Sequence, residues 1–337
     1  MRIENYPHKT RIHCETGSIK NMIDFYSFSI SEEMIFGIGS GYDFIHFPFP
    51  MFNKCETPLF RNIPGKIFLN FTKRMGIKKK IYKFSNPDKA MKALDAVLEK
   101  GIPVGLVVEI LSLPFFPLKD RSFPAHTIVI VGKEKDEYIV SDCDYHFPIE
   151  ELHLIKEEKL KEARYPKTLF SPKGKMFYLV DVSQIKNIKK AIRIAIKDTC
   201  HQMLGIPFPY FGAQGIRFLA KRMRKYEKIY GRERALDNLK WQLQTSEEAG
   251  TGGSGYRYMY ATFLKEAAYY LQDDSLLPFA DEMRKVADQW QFFAVEGRRY
   301  YKNQENKDMN FLADILVNIA EMEKKLFVDL RKWLYNK

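Results

Sequence analysis

The chain has 337 residues, a formal net charge of +12 and four cysteines. Its composition, 45% hydrophobic and 28% charged, is that of an ordinary globular protein with room for two domains. No apolar run approaches the roughly 20 residues of a membrane span, and the opening residues lack the apolar core of a signal peptide. The cysteines are too sparse for a disulfide framework or a zinc motif. We therefore expect a cytoplasmic protein with reduced thiols, no bound metal and no membrane partner.

The positive charge predicts an acidic partner, which could be a nucleic acid, an anionic lipid or an acidic protein. Basic residues concentrate at 73–80, 186–197 and 217–234, where apolar residues recur at helical or strand-like spacing. Such stretches are typical of a solvated face. No nucleic-acid-binding signature accompanies them, so we do not expect nucleic acid as the partner.

The first half of the chain predicts helices and strands in alternation. "CETGSIKNMIDFYSF" carries an apolar stripe at helical spacing, "SEEMIFGI" opens with Ser31 as a helix cap, and "SNPDKAMKALDAVLEKG" is a helix capped by Ser85 or Asn86. Apolar β-branched runs predict strands at 102–110, 126–132, 137–142 and 175–182. The polar turn "KEKD" between the middle two predicts an antiparallel hairpin.

After about residue 185 helical periodicity dominates. Apolar stripes predict helices at 187–204, 213–231, 232–248, 256–272, 276–298 and 308–335. The sequence therefore predicts an α+β protein, with an α/β domain at 1–183 and an all-helical bundle domain at 184–337.

Cys14 stands where the first predicted helix begins. A thiol attacks as its thiolate, and the unpaired N–H groups of a helix N-terminus stabilise that charge. The same amides could hold the oxyanion of a tetrahedral intermediate. The alternative is an inert cysteine that packs as a small apolar residue, which is the commoner case.

A cysteine nucleophile needs a base, and a base needs a group that orients it. His126 starts an apolar strand, and the predicted hairpin returns Asp142 beside it. Asp144 is a rival orienter because it lies on the same strand face. A cysteine on a helix, then a histidine and an acid on successive strands, is the chain order of papain-like thiol enzymes.

Several stretches together resemble the butirosin biosynthesis protein H family, which has a papain-like N-terminal domain and a helical domain of formerly unknown function. The stretches are "HCETGSIKN", "SEEMIFGIGSGYDF", "GIPVGLVVEILSLPFF", "AHTIVIVGKEKDEYIVSD" and "GTGGSGYRYMYATFLKEAA". They cover nearly the whole chain, and in combination they are more specific than any single motif.

The resemblance implies acyl transfer in secondary-metabolite biosynthesis. The founding member moves an aminoacyl group from the phosphopantetheine of an acyl carrier protein to an amine of an aminoglycoside antibiotic. By motif, Cys14 would accept the acyl group, His126 would shuttle the proton and Asp142 would orient His126. The resemblance thus implies an acidic carrier protein as partner, its phosphopantetheine thioester as donor, a small-molecule amine as acceptor and no permanently bound cofactor.

Further residues are candidates for substrate binding. Papain-like enzymes usually place a glutamine oxyanion donor six residues before the cysteine, where this chain has His8. Glu32 could be a cleft residue or a helix-end charge, and Glu109 could bind an amine or be an ordinary strand-end residue. A glycine-rich loop that opens a helix could hold a phosphate or carboxylate, or be a plain turn; its candidates are Gly252, Gly253 and Arg257.

Two other functions remain open at this point. A peptidase or amidase would use the same triad with water in place of the amine. A non-catalytic binding protein could keep the fold without a working site, and an inaccessible Cys14 would be evidence for it.

Overall fold

The computed structural model divides into two compact units. The first consists of Met1–Ile35 and Phe71–Lys186, and the second of Phe36–Asn70 and Asn187–Lys337. The residues that the structure describes are 1–52, 54–116, 123–144, 147, 151–168, 171–183, 185, 187–248, 250–302 and 308–336.

Helices and strands alternate in the first half of the chain, and helices follow one another in the second. In chain order they are α1 (Cys14–Phe25), α2 (Glu32–Ile38), β1 (Tyr42–Phe52), β2 (Cys55–Arg61), α3 (Lys66–Met75), β3 (Lys78–Tyr82), α4 (Pro87–Leu98), β4 (Val104–Val108), β5 (His126–Glu134), β6 (Glu137–Ser141), β7 (His153–Lys156), α5 (Glu157–Arg164), β8 (Met176–Asp181), α6 (Ile188–Leu204), α7 (Gly212–Met223), α8 (Tyr226–Tyr230), α9 (Arg232–Glu247), α10 (Arg257–Leu271), α11 (Leu277–Tyr301) and α12 (Met309–Tyr335).

The first unit is built on a six-stranded antiparallel sheet in the order β3-β8-β4-β5-β6-β7. α1 packs against β5, while α4 and α5 contact β4. The apolar, β-branched residues of β4 and β5 are almost all buried, as a sheet covered by helices requires. The sheet is the rigid element that carries the candidate site.

Local signals in the sequence explain how these elements begin and end. Asn86, not Ser85, caps α4, because its side-chain oxygen accepts a hydrogen bond from the amide of Lys89 at 2.9 Å. Ser31 likewise accepts from the amide of Met34 at 3.0 Å. The predicted antiparallel hairpin of β5 and β6 is confirmed, and Lys135 provides the positive φ of its short turn.

The second unit is mainly a bundle of α6 to α12. α12 packs along α6, α7 and α11, and the β1–β2 hairpin packs against α7 and α9. Large aromatic side chains fill the interior, among them Trp290 and Phe293. In the described part of the chain, no helix is both long and apolar enough to cross a bilayer.

The α+β class is confirmed, with the sheet in the first unit and helices throughout the described part of residues 187–336. The division into units differs from the predicted boundary in one segment, since residues 36–70 group with the helices. The reason is the β1–β2 hairpin, which forms a separate two-stranded sheet. It buries Phe44 and Phe60 against Trp290, with ring centroids 6.0 and 5.1 Å apart. The second unit is therefore not all-helical.

Candidate active site

Cys14 is the first residue of α1 in the structure. His13 is its N-cap: the ring nitrogen Nδ1 accepts from the amide of Thr16 at 3.4 Å and lies 3.1 Å from the Thr16 hydroxyl. The amide of Cys14 is thus among the first N–H groups of the helix, which have no carbonyl partner within it. These groups place a partial positive charge where a thiolate or an oxyanion would form.

The other three cysteines differ from Cys14 in exposure. Cys14 is partly exposed, while Cys55, Cys143 and Cys200 are buried. Burial raises the pKa of the Cys55 thiol, raises that of Cys143 well above its usual value and raises that of Cys200 to about 12. Buried thiols of this kind are unreactive, so Cys14 is the cysteine placed to react with a substrate.

His126 and Asp142 form a buried pair. The Nε2 atom of His126 lies 2.7 Å from Oδ2 of Asp142, and Cys14 is close enough to the imidazole to raise its pKa. Because Asp142 occupies Nε2, Nδ1 is the nitrogen left for the thiol. Burial favours the neutral imidazole, yet the charge of Asp142 and the hydrogen bonds to Asp142 and Cys14 hold the pKa of His126 well above its usual value.

The strand register explains which aspartate orients the histidine. Val129 lies opposite Ser141, so an extended β6 would place Asp144 opposite His126 and Asp142 on the diagonal. The bond nevertheless comes from Asp142, because β6 ends at Ser141 and the residues after it do not continue the extended pairing. The amide of Asp144 donates to Oδ1 of Asp142 at 3.1 Å, which fixes the carboxylate.

Cys143 joins the segment of Asp142 to the helix that begins at Cys14. Its sulfur lies 3.5 Å from the carbonyl oxygen of Cys14 and 3.8 Å from the hydroxyl of Ser18. Any side chain at Gly17 would clash with Cys143, because a Cβ atom at Gly17 would lie 2.7 Å from the Cys143 sulfur. The close approach fixes α1 against the residue that follows Asp142.

Glu32 holds the loop that leads into Cys14. Its carboxylate accepts hydrogen bonds from the amides of Ile12 and His13 at 3.1 and 3.0 Å and from the Thr16 hydroxyl at 2.7 Å. Burial raises the pKa of Glu32, and these bonds partly offset that rise. The carboxylate is used within the protein, where it positions the loop before Cys14, and substrate binding by Glu32 stays a prediction.

Replacing Glu32 by Gln is expected to slow the alkylation of Cys14 by iodoacetamide several-fold and to destabilise the fold by about 1–3 kcal/mol. The glutamine amide would turn donor hydrogens toward backbone amides that need an acceptor. Glu33→Gln, in the same helical turn, is the matched control and should change neither value. Weaker substrate binding in Glu32→Gln, at unchanged stability and thiol reactivity, would instead support the substrate-binding role predicted from the sequence.

His8 lies beside the acid's strand. Its Nδ1 atom is 2.7 Å from the hydroxyl of Ser141, the residue before Asp142. The ring is buried and fixed next to the catalytic segment. The role of His8 as an oxyanion donor stays a prediction.

Glu109 follows β4, whose last residue pairs with His126. Its Oε1 atom accepts from the amides of Leu111 and Phe123 at 3.2 and 2.9 Å, which fixes the turn at the strand end. Glu109 also borders an open cavity of about 380 Å³ together with Glu162. Binding of an amine by Glu109 stays a prediction.

The glycine-rich loop and the arginine that follows it make contacts within the protein. Arg257 is fully buried in the second unit, where Nε and Nη2 donate to the two carboxylate oxygens of Glu323 at 3.0 and 3.2 Å. The loop amides also bind their own chain, since Gly253 donates to the Thr251 hydroxyl and Ser254 to the Glu247 carboxylate. A carboxylate at the loop disfavours an anion there, and anion binding by Gly252, Gly253 and Arg257 stays a prediction.

Several residues that support the site were not predicted from the sequence. Thr16 and His13 could have been found from the cap spacing, since an N-cap side chain accepts from the amide three residues on. The contacts of Glu32, Ser141 and Cys143 join distant parts of the chain, and no local pattern signals them. No group of His, Cys, Asp and Glu within the described ranges could hold a metal ion.

Comparison with known proteins gives two family matches. Residues 13–143 match the model described as "Butirosin biosynthesis protein H, N-terminal", and residues 158–330 match "Domain of unknown function (DUF4872)". No curated protein matches the chain. A solved structure, a putative C39-like peptidase from Bacillus anthracis, is similar at 13% identity over 54% of this chain and 94% of that one, with a TM-score of 0.34, too low to support an argument.

Proposed function

Because the chain belongs to the butirosin biosynthesis protein H family, we propose that it is a cysteine acyltransferase. It takes an acyl or aminoacyl group from the thioester of an acidic acyl carrier protein and transfers it to a small-molecule amine in secondary-metabolite biosynthesis. The observation that supports this function best is the imidazole of His126, which lies 2.7 Å from Asp142 and has its pKa raised by Asp142 and Cys14. The helix start at Cys14 adds oxyanion stabilisation.

In the first half-reaction the Cys14 thiolate attacks the carbonyl carbon of the thioester. The new carbon–sulfur bond forms as the bond to the phosphopantetheine sulfur breaks, and the His126 imidazolium protonates the departing thiolate. The amide of Cys14 and the ring of His8 are the donors for the oxyanion. Cys14 now carries the acyl group, and His126 is neutral.

In the second half-reaction the amine attacks the acyl-Cys14 thioester. His126 accepts a proton from the attacking nitrogen as the carbon–nitrogen bond forms, and the Cys14 thiolate leaves. This step restores the thiolate and the imidazolium, with Asp142 holding the ring throughout. The kinetics are therefore ping-pong, with the carrier released before the amide forms.

The charge of the chain favours an acidic carrier protein as the donor. A net charge of +12 attracts such a partner over long range and speeds its encounter with the protein. The carrier-dependent rate is therefore expected to fall as salt is added.

The test is the intact mass of the protein after incubation with acyl-loaded carrier protein. We expect an adduct with the mass of the acyl group, absent in Cys14→Ala and retained in the matched control Cys200→Ala. Added amine should discharge the adduct and yield the amide. Unmodified wild-type protein across several acyl groups would refute the transferase, and release of free acid at a rate independent of amine would identify a hydrolase.

A further inference from the structure

The second unit contains a cavity that the proposed acyl transfer does not use. It has a volume of about 410 Å³, which is within the size range of small-molecule sites. The end of α6, the segment that follows it, α7 and one residue of α12 form its walls. Its lining residues are Met203, Leu204, Ile206, Pro209, Phe211, Ala213, Gln214, Arg217, Phe218, Lys221 and Lys324.

The lining separates into an apolar part and a cationic part. The apolar side chains come mainly from the end of α6 and the segment before α7, and none of the lining residues is acidic. Arg217 and Lys221 lie one turn apart on α7, and Lys324 faces the same cavity from α12. The cavity thus joins an apolar surface to three positive charges.

The three cations differ in their ion pairs among the described residues. Arg217 pairs with Glu321, whereas the described residues include no ion-pair partner for Lys221 or Lys324. Both lysines are exposed. Their charge is therefore available to a ligand without the loss of an existing salt bridge.

The walls are fixed without a ligand. The ring of Phe218 packs edge-on against Tyr210 at 4.9 Å and lies 5.9 Å from the ring of His46. Gly212 has a φ of +58°, and a Cβ there would lie 2.3 Å from the carbonyl oxygen of Met203, so α7 begins in close contact with α6. A rigid pocket loses little entropy when it binds a ligand.

From these features we propose that the cavity binds an amphipathic anion, a ligand with an apolar chain or ring and a carboxylate or phosphate head. The apolar lining removes the body of the ligand from water, and Lys221 and Lys324 pair with the head. A cationic head would be repelled by Lys221 and Lys324. Two classes of ligand have such a head: free acyl acids, which carry a carboxylate, and phosphate esters. Both combine an apolar body with an anionic group.

The test is calorimetric titration of the full chain with decanoate, decyl phosphate and decyltrimethylammonium below their micelle concentrations. We expect both anions to bind and the cation not to bind. Tighter binding of decanoate would identify an acyl acid as the natural ligand, and tighter binding of decyl phosphate a phosphate ester. Absence of binding by either anion, or equal affinity for the cation, would overturn the proposal.

Two variants and a control locate the site. Lys221→Gln combined with Lys324→Gln is expected to weaken anion binding at least tenfold, and Ile206→Asp to abolish it by placing a carboxylate in the apolar lining. Lys325→Gln is the matched control, because Lys325 pairs with Asp329 and does not line the cavity. An unchanged midpoint of thermal unfolding verifies the fold of each variant. Equal anion affinity in the double variant and the wild type would refute the assignment.

Discussion

Asp142→Asn is expected to slow acylation of Cys14 by about 10²- to 10⁴-fold. The Asp142 carboxylate accepts from Nε2 of His126 at 2.7 Å and carries the charge that favours the imidazolium. An asparagine can keep the hydrogen bond but loses that charge. The measurement is the rate of adduct formation by intact mass, with acyl-loaded carrier protein as donor.

The matched control for this variant is Asp144→Asn. The amide of Asp144 binds Asp142, so its side chain can change without removing that contact. We expect this variant to acylate at close to the wild-type rate. A larger loss in Asp144→Asn than in Asp142→Asn would show that the diagonal pair seen in the structure is not the working one.

The same pair sets a pH dependence with a definite sign. The pKa of His126 is raised in the folded protein, so the pair stabilises the fold fully below the unfolded value of about 6.5. That contribution is lost as pH rises through the raised pKa. In Asp142→Asn the imidazole should titrate at lower pH, which the carbon-bound ring protons of His126 report by NMR. An unchanged midpoint would contradict the electrostatic role of Asp142.

The three residues of the candidate triad could be predicted because each has a local signal. Cys14 lies at a helix start, His126 at the start of an apolar strand, and Asp142 at the end of the strand that pairs with it. A short polar turn fixed that pairing, so sequence distance could be converted into spatial proximity. The choice between Asp142 and Asp144 could not be made in this way, because both would lie on the same face of an extended strand, and the pattern does not show that β6 ends at Ser141.

The residues that hold the nucleophile in place could not be predicted, because their contacts are long-range. Glu32 lies in the first turn of α2, where an acid is expected for purely local reasons. Its contacts with the loop before Cys14 depend on how α1 and α2 pack. In a sequence, a glutamate that accepts hydrogen bonds from backbone amides cannot be told from one that binds a substrate. Only the burial of its carboxylate in the folded chain distinguishes the two roles.

The hairpin of residues 36–70 was missed for a related reason. The β1 sequence, "YDFIHFPFPMF", has prolines between its aromatic residues, and prolines argue against a strand. β2 is its neighbour in a two-stranded sheet, and on the other side the described residues add an isolated bridge from Ile45 to Phe211, so its prolines need not interrupt a ladder on both sides. Burial of Phe44 among the helices of the second unit then places the segment outside the contiguous domain that the sequence suggested.

Arg257 shows how a buried ion pair can look like a binding site in the sequence. Anion-binding sites and ordinary helix starts can both have a glycine-rich loop followed by an arginine. The two are distinguished by the partner of the guanidinium group, which is a bound anion in the first case and a group of the protein in the second. Here Glu323 of α12 is that partner, and Trp290 donates to the same carboxylate at 2.9 Å. The rings of Tyr42 and Trp290 lie 4.7 and 5.0 Å from the guanidinium carbon. A lone glutamate within the apolar stripe of α12 was the available signal, since a buried carboxylate requires a cation.

Arg257→Met is therefore expected to destabilise the protein by about 3–5 kcal/mol, because it leaves the Glu323 carboxylate buried without its cation. The midpoint of thermal unfolding should fall by roughly 10 °C. Adding Glu323→Gln should recover part of the loss, and the double-mutant cycle measures the coupling of the pair. Arg298→Met is the matched control: its exposed pair with Glu248 should contribute less than about 1 kcal/mol. Unchanged stability of Arg257→Met, combined with weaker binding of the acyl donor, would instead support the anion-binding role that the sequence predicted for Arg257.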